Sequence, residues 1–92
     1  GFIDFVRMDE IKVVNMTRGL CHPFPGAYTK SKRGTVRIWS CESAGIKLGG
    51  VPGRVVFLDG KGPYVVCHLG SVLLTNYSTE SGEKLENGDK LF

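Results

Sequence analysis

The chain has 92 residues and a formal net charge of +3, with 41% hydrophobic and 23% charged residues. This length and composition predict one small globular domain. No apolar run approaches the roughly 20 residues that span a bilayer, and the N-terminus lacks the layout of a signal peptide. We therefore expect no membrane association, and the size argues against an enzyme that holds both a large cofactor and a second substrate.

Positive charge is concentrated in the first part of the chain. Residues 1–37 carry seven basic and three acidic side chains, a net of +4, whereas residues 38–92 carry five basic and six acidic ones, a net of −1. A basic half favours an anionic partner such as RNA or a phosphorylated ligand. An ordinary solvated surface explains the same charge equally well, so both interpretations stay open.

The cysteines indicate a reducing compartment. Three of them cannot all pair internally, and no Cys-x-x-Cys motif is present, which predicts free thiols and a cytoplasmic location. Cysteine and histidine are adjacent twice, as Cys21-His22 and Cys67-His68. Consecutive strand residues point to opposite faces, which argues against a zinc site, and an apolar run around Cys67 argues against a nucleophilic thiol. We predict no catalytic, cofactor-binding or metal-binding residue in this chain.

The N-terminal part predicts an extended segment followed by one helix. Residues 1–7 contain the apolar Phe2, Ile3 and Phe5, and residues 8–20 show helical spacing of apolar positions. Asp9 and Glu10 are expected in the first turn, with no clear N-cap, and Pro23 and Pro25 are expected to end the helix, since proline lacks the donor for the next hydrogen bond.

The remainder predicts short strands separated by glycine turns. Residues 35–41 alternate, residues 55–58, 64–67 and 72–74 are short apolar runs, and residues 76–88 are expected to be a polar loop. About five strands at intervals of roughly ten residues are typical of a small antiparallel barrel or sandwich. The predicted fold is therefore mainly β with one N-terminal helix.

A basic cluster lies between two predicted strands, at an expected hairpin tip. Its members and the next strand offer four cations that could contact successive phosphates: Lys30, Lys32, Arg33 and Arg37. Tyr28 and Trp39 are candidate stacking surfaces for unpaired bases, although a tryptophan on an alternating strand is more often packed.

Several motifs resemble one family. The string from Arg18 to Thr29, RGLCHPFPGAYT, is similar to the helix-to-strand junction of the formyltransferase C-terminal domain. The stretches GFIDF, VRIW, PGRV and VCHLG resemble further motifs of that domain in the same order. Gly19, His68 and Leu69 depart from the pattern. The resemblance assigns structural roles to the matching positions Arg18, Pro23, Pro25, Gly26, Pro52, Gly53 and Gly70.

The resemblance implies an OB-like barrel that follows a catalytic domain. It makes residues 1–7 an extended linker from that domain and residues 8–92 the C-terminal domain. The implied role is to position an acceptor, methionyl-tRNA or an amino-sugar nucleotide, for N-formylation. The formyl-tetrahydrofolate donor is expected on the catalytic domain, so the chain alone should be inactive.

Two alternatives from other classes stay open. One is an independent OB-like module that binds nucleic acid by stacking on Tyr28 or Trp39. The other is a structural or dimerisation module, supported by Phe2, Ile3 and Phe5, which would lie exposed if they normally pack on a neighbouring domain.

Overall fold

A computed structural model describes residues 1–20 and 26–92. Within these residues the chain forms one helix and five strands, which confirms the predicted mainly β fold. The elements are α1 (Glu10–Gly19), β1 (Ala27–Ser31), β2 (Gly34–Ser43), β3 (Val55–Leu58), β4 (Lys61–Val66) and β5 (Ser71–Thr79). No helix of the described residues is long and apolar enough to cross a membrane.

Helix α1 begins later than its sequence pattern predicted, because Asp9 is its N-cap. The Asp9 side chain accepts a hydrogen bond from the Lys12 backbone N–H at 2.8 Å, which satisfies one of the free amides of the first turn. Placing Asp9 inside the first turn was therefore wrong. The helix buries Val13, Val14 and Thr17 against the sheet, and its predicted termination by Pro23 and Pro25 lies outside the described residues.

The sheet is antiparallel, with strand order β1-β2-β5-β4-β3. Its longest pairing joins β2 to β5, where Ile38 lies opposite Tyr77 and Val36 opposite Thr79. Residues 76–79 were expected to be loop, and that prediction was wrong. Their sequence is polar because alternate side chains face solvent, as in a strand with one exposed face.

The C-terminal segment pairs with both edge strands, β1 and β3, and closes the sheet into a barrel. On the β3 side, the Val55 N–H donates to the Asp89 carbonyl and the Leu91 N–H donates to the Gly53 carbonyl, both at 2.8 Å. On the β1 side, Lys30 and Phe92 exchange two backbone hydrogen bonds of 2.9 and 2.8 Å. The segment 89–92 therefore lies between β1 and β3.

The N-terminal residues also pair with β1. The Ile3 N–H donates to the Tyr28 carbonyl at 2.8 Å, and the Tyr28 N–H donates to the Gly1 carbonyl at 2.9 Å. Ile3 and Phe5 are fully buried in the barrel core, and only Phe2 of the three N-terminal apolar residues is exposed, at 43%. The expectation that all three would be left uncovered was wrong for Ile3 and Phe5, which this domain buries itself.

Candidate nucleic-acid interface

Strands β1 and β2 place an aromatic ring and two cations on the outer face of the barrel. Ala27, Thr29, Val36 and Ile38 point inward and are buried, so the residues that alternate with them point outward. Tyr28 lies opposite Arg37 and Lys30 opposite Thr35 in the β1–β2 register. We call these four outward residues, Tyr28, Lys30, Thr35 and Arg37, the cationic face.

The cations of this face are organised around the tyrosine ring. The Lys30 Nζ lies 6.0 Å and the Arg37 Cζ 5.7 Å from the Tyr28 ring centroid, distances at which a ring attracts a cation. The Lys30 ammonium also donates a hydrogen bond of 2.8 Å to the Thr35 hydroxyl. These contacts hold two positive charges beside one another on an open surface.

Two shallow grooves meet at the cationic face. One, of about 510 Å³, is lined by the whole face together with Gly1, Leu20 and Gly26. The other, of about 260 Å³, shares Thr35 and Arg37 and continues across β5 to Glu80. The Glu80 carboxylate accepts a hydrogen bond of 2.9 Å from the Thr35 backbone N–H, so the far end of this surface carries a negative charge.

The hairpin tip turns its arginine away from this face. The Arg33 Nε donates to Asp89 Oδ2 at 2.7 Å, and its terminal nitrogens lie 3.2 Å from Glu83 and 3.3 Å from Glu86. Hydrogen bonding to Asp89 raises the pKa of Arg33, and the same bond lowers the pKa of Asp89. The Arg33 side chain is only 9% exposed, so it ties the hairpin to the C-terminal segment.

The four predicted contact residues therefore separate into two groups. Lys30 and Arg37 share the cationic face, whereas Arg33 is enclosed by carboxylates. Lys32 is 73% exposed, with its Nζ 3.5 Å from Asp89 Oδ1. No pattern in the sequence indicated the Asp89 partner, which lies 56 residues from Arg33 along the chain.

The Trp39 side chain is half-buried and packs against neighbouring residues. Its Nε1 donates a hydrogen bond of 3.2 Å to the Ser78 hydroxyl. The indole lies against Gly26, where an added Cβ would stand 2.8 Å from Trp39 Cζ3. Gly26 also has a φ of +88°, so both backbone conformation and space favour glycine there.

The described cysteine–histidine pair does not form a reactive dyad. Cys67 is buried, and burial raises the pKa of its thiol to about 12, whereas the adjacent His68 is exposed. Cys41 is also a buried free thiol, with its Sγ 3.5 Å from the Thr17 hydroxyl. Cys21 and His22 lie outside the described residues. Among the described residues, no three histidine, cysteine or carboxylate side chains are placed so that they could hold a metal ion.

Among the family-motif residues, Gly53 and Gly70 lie at close approaches away from the cationic face. Pro52 leads into Gly53, where a Cβ would clash with the Leu91 carbonyl oxygen and the φ is +93°. Gly70 lies under the Glu10 side chain, and Arg18 is exposed in the last turn of α1. Pro23 and Pro25 lie outside the described residues.

A larger groove lies away from the cationic face. Its volume is about 540 Å³, and it lies between the start of α1, the glycine-rich loop after β2 and the turn before β5. Its lining includes Glu10, Lys47 and His68 beside apolar side chains such as Ile46 and Leu69. No motif in the sequence indicated this groove, because its walls come from three separate segments.

Comparison with known proteins places this barrel in a family. The family model described as the formyl transferase C-terminal domain matches residues 1–91, and the chain belongs to this family. It is 34% identical over 92 residues to a methionyl-tRNA formyltransferase from Natranaerobius thermophilus, covering 97% of this chain and 29% of that protein. It is 31% identical over 91 residues to a methionyl-tRNA formyltransferase from Geobacter sulfurreducens, covering 99% of this chain and 27% of that protein. The chain thus spans less than a third of the length of these two relatives.

Proposed function

We propose that this domain positions an acceptor RNA for formyl transfer and takes no part in bond making. The observation that carries the proposal is the pairing of Lys30 and Arg37 over the Tyr28 ring, on the outer face of the barrel. Two fixed cations beside an open groove suit successive phosphates of a nucleic acid backbone. The names of the relatives support methionyl-tRNA as the acceptor.

The N-terminal segment lies beside the cationic face, which supports this role. Gly1 lines the same groove as the cationic face, and its carbonyl accepts the Tyr28 N–H. More than two thirds of the relatives' length lies outside the matched region. A catalytic domain that leads into Gly1 would lie beside Lys30 and Arg37, so an acceptor held there would be close to it. Orientation of a bound acceptor can contribute a large part of a rate enhancement.

The proposal leaves donor binding and chemistry to that other domain. We expect the formyl-tetrahydrofolate donor to bind there, and the 92-residue chain to catalyse no formyl transfer alone. We also expect the parent protein to act in the cytoplasm. Membership of the formyltransferase family favours this reading over an independent nucleic-acid-binding module.

RNA binding by paired charge-reversal variants tests the proposal. We expect the chain to bind tRNA at low salt with micromolar or weaker affinity, and Lys30→Glu/Arg37→Glu to reduce that affinity at least tenfold. The matched control is Lys12→Glu/Lys61→Glu, which makes the same change in net charge at two exposed lysines away from the face. Its effect should be several-fold smaller.

Two results would contradict the proposal. Equal losses in both double variants would mean that the RNA responds to net charge rather than to this face. Absence of tRNA binding at low salt, with binding of a nucleotide sugar instead, would assign the domain to a sugar acceptor.

A further inference from the structure

Two exposed aromatic rings flank the cationic face. Phe92 is 60% exposed and Phe2 is 43% exposed, although the aliphatic neighbours Leu91 and Ile3 are fully buried. Exposed apolar side chains that lie near one another on one surface often mark an interaction site. The sequence did not indicate Phe92, and it indicated Phe2 only as a residue that could pack on a neighbouring domain.

Backbone pairing fixes both rings to the same side of β1. Phe92 and Lys30 exchange both of their backbone hydrogen bonds, and residues paired in this way project their side chains to the same face. Phe2 forms a parallel bridge with Tyr28, and the two rings meet edge to face with their centroids 5.7 Å apart. Lys30 and Tyr28 are two residues apart on β1, a spacing of about 7 Å.

Tyr28 and Trp39 already contact other residues of the barrel. Tyr28 has the Phe2 ring at its edge and Lys30 and Arg37 close to it, and Trp39 packs against Gly26. Among the described aromatic residues beside the cationic face, Phe92 and Phe2 therefore have the most exposed rings.

We infer that Phe92 and Phe2 are stacking platforms for unpaired bases of an RNA strand whose phosphates lie along Lys30 and Arg37. This inference rests on the proposed function and names the part of the acceptor that meets the barrel, a single-stranded stretch. Single-strand-binding proteins combine two components, aromatic rings that stack on bases and cations that contact phosphates. The positive charge between the rings favours a polyanion over an apolar protein segment as the occupant.

The test compares two probes with the same phosphates. One is a labelled, unstructured RNA of about ten nucleotides, within the site size of a small barrel, and the other is an abasic strand of equal length. We expect Phe92→Ala to weaken binding of the RNA about 5- to 150-fold, since stacking is worth roughly 1–3 kcal/mol per base. Binding of the abasic strand should change less than about twofold, and Phe92→Trp should restore RNA binding.

Control variants separate this inference from the proposed function. Leu58→Ala removes an apolar side chain that is 40% exposed on β3 and should leave both probes unaffected. Lys30→Glu/Arg37→Glu should weaken both probes.

Unchanged RNA binding by Phe92→Ala and Phe2→Ala, with loss in the charge variant, overturns stacking and leaves the phosphate site intact. Equal loss of both probes in Phe92→Ala also overturns it. Failure of the wild-type chain to bind either probe overturns the inference together with the proposed function.

Discussion

Neighbouring cations of one short segment have different environments because strand geometry separates them. Lys30 lies on the outer face of β1 beside Tyr28, whereas Arg33, in the turn, reaches Asp89. A sequence shows that both residues are basic and close together, and this is why both were predicted to contact an anion. It does not show which carboxylates the fold brings to the turn, because those lie in the last ten residues of the chain.

The Arg33–Asp89 pair predicts a specific dependence of stability on pH. In the folded protein, hydrogen bonding to Arg33 lowers the pKa of Asp89 below its ordinary value of 3.8. The pair therefore stabilises the fold above pH 4, and this stabilisation is lost as pH falls below 4 and through the lowered pKa. We expect Asp89→Asn to be less stable than the wild type at pH 7 and to lose less stability on acidification, measured by urea unfolding at pH 7 and about pH 3.

The control for this prediction is Glu83→Gln, which removes a partner of Arg33 that is 61% exposed. Exposed ion pairs contribute about 0–1 kcal/mol, so this variant should remain close to wild type at pH 7. A pH dependence in Asp89→Asn equal to that of the wild type would contradict the assignment.

At the scale of elements, the sequence predicted the type of each element better than its ends. Helix α1 and strand β3 follow from apolar spacing, and β3 has the predicted bounds. Strand β5 runs further than its apolar residues, because the hydrogen bonds to β2 hold a polar segment extended. The N-cap at Asp9 was missed because an acidic residue is equally suitable in a first turn.

The C-terminal segment is the element whose role was least visible in the sequence. The alternation of Lys90, Leu91 and Phe92 is too short to predict a strand, yet residues 89–92 join β1 to β3. Phe92 was missed as a candidate stacking residue for the same reason, since only its pairing with Lys30 places it beside β1.

Because this segment closes the barrel, we expect the loss of its buried side chain to lower the free energy of unfolding substantially. Leu91 is fully buried, so Leu91→Ala should lower the free energy of unfolding by about 2–5 kcal/mol, measured by urea denaturation. Leu58→Ala, at a side chain that is 40% exposed, should cost much less. Similar losses in the two variants would mean that the segment 89–92 contributes little to the core.

At the scale of the whole molecule, the excess of positive charge in residues 1–37 becomes a local surface. The carboxylates of the C-terminal part neutralise the hairpin tip, and Lys30 and Arg37 remain together on the outer face. The fold thereby places these two cations beside Gly1, on the face that we propose contacts the RNA. The sequence predicted the charge, and only the barrel geometry could predict its place.

Mapping the bound RNA by NMR tests this account most directly. In a titration of the ¹⁵N-labelled chain with tRNA at low salt, we predict the largest amide shifts at Tyr28, Lys30 and Arg37. The larger groove beside His68 should show little change. Shifts centred on that groove, or on the turn around Arg33, with none at Lys30 and Arg37, would contradict the claim that the outer face of β1 and β2 receives the acceptor.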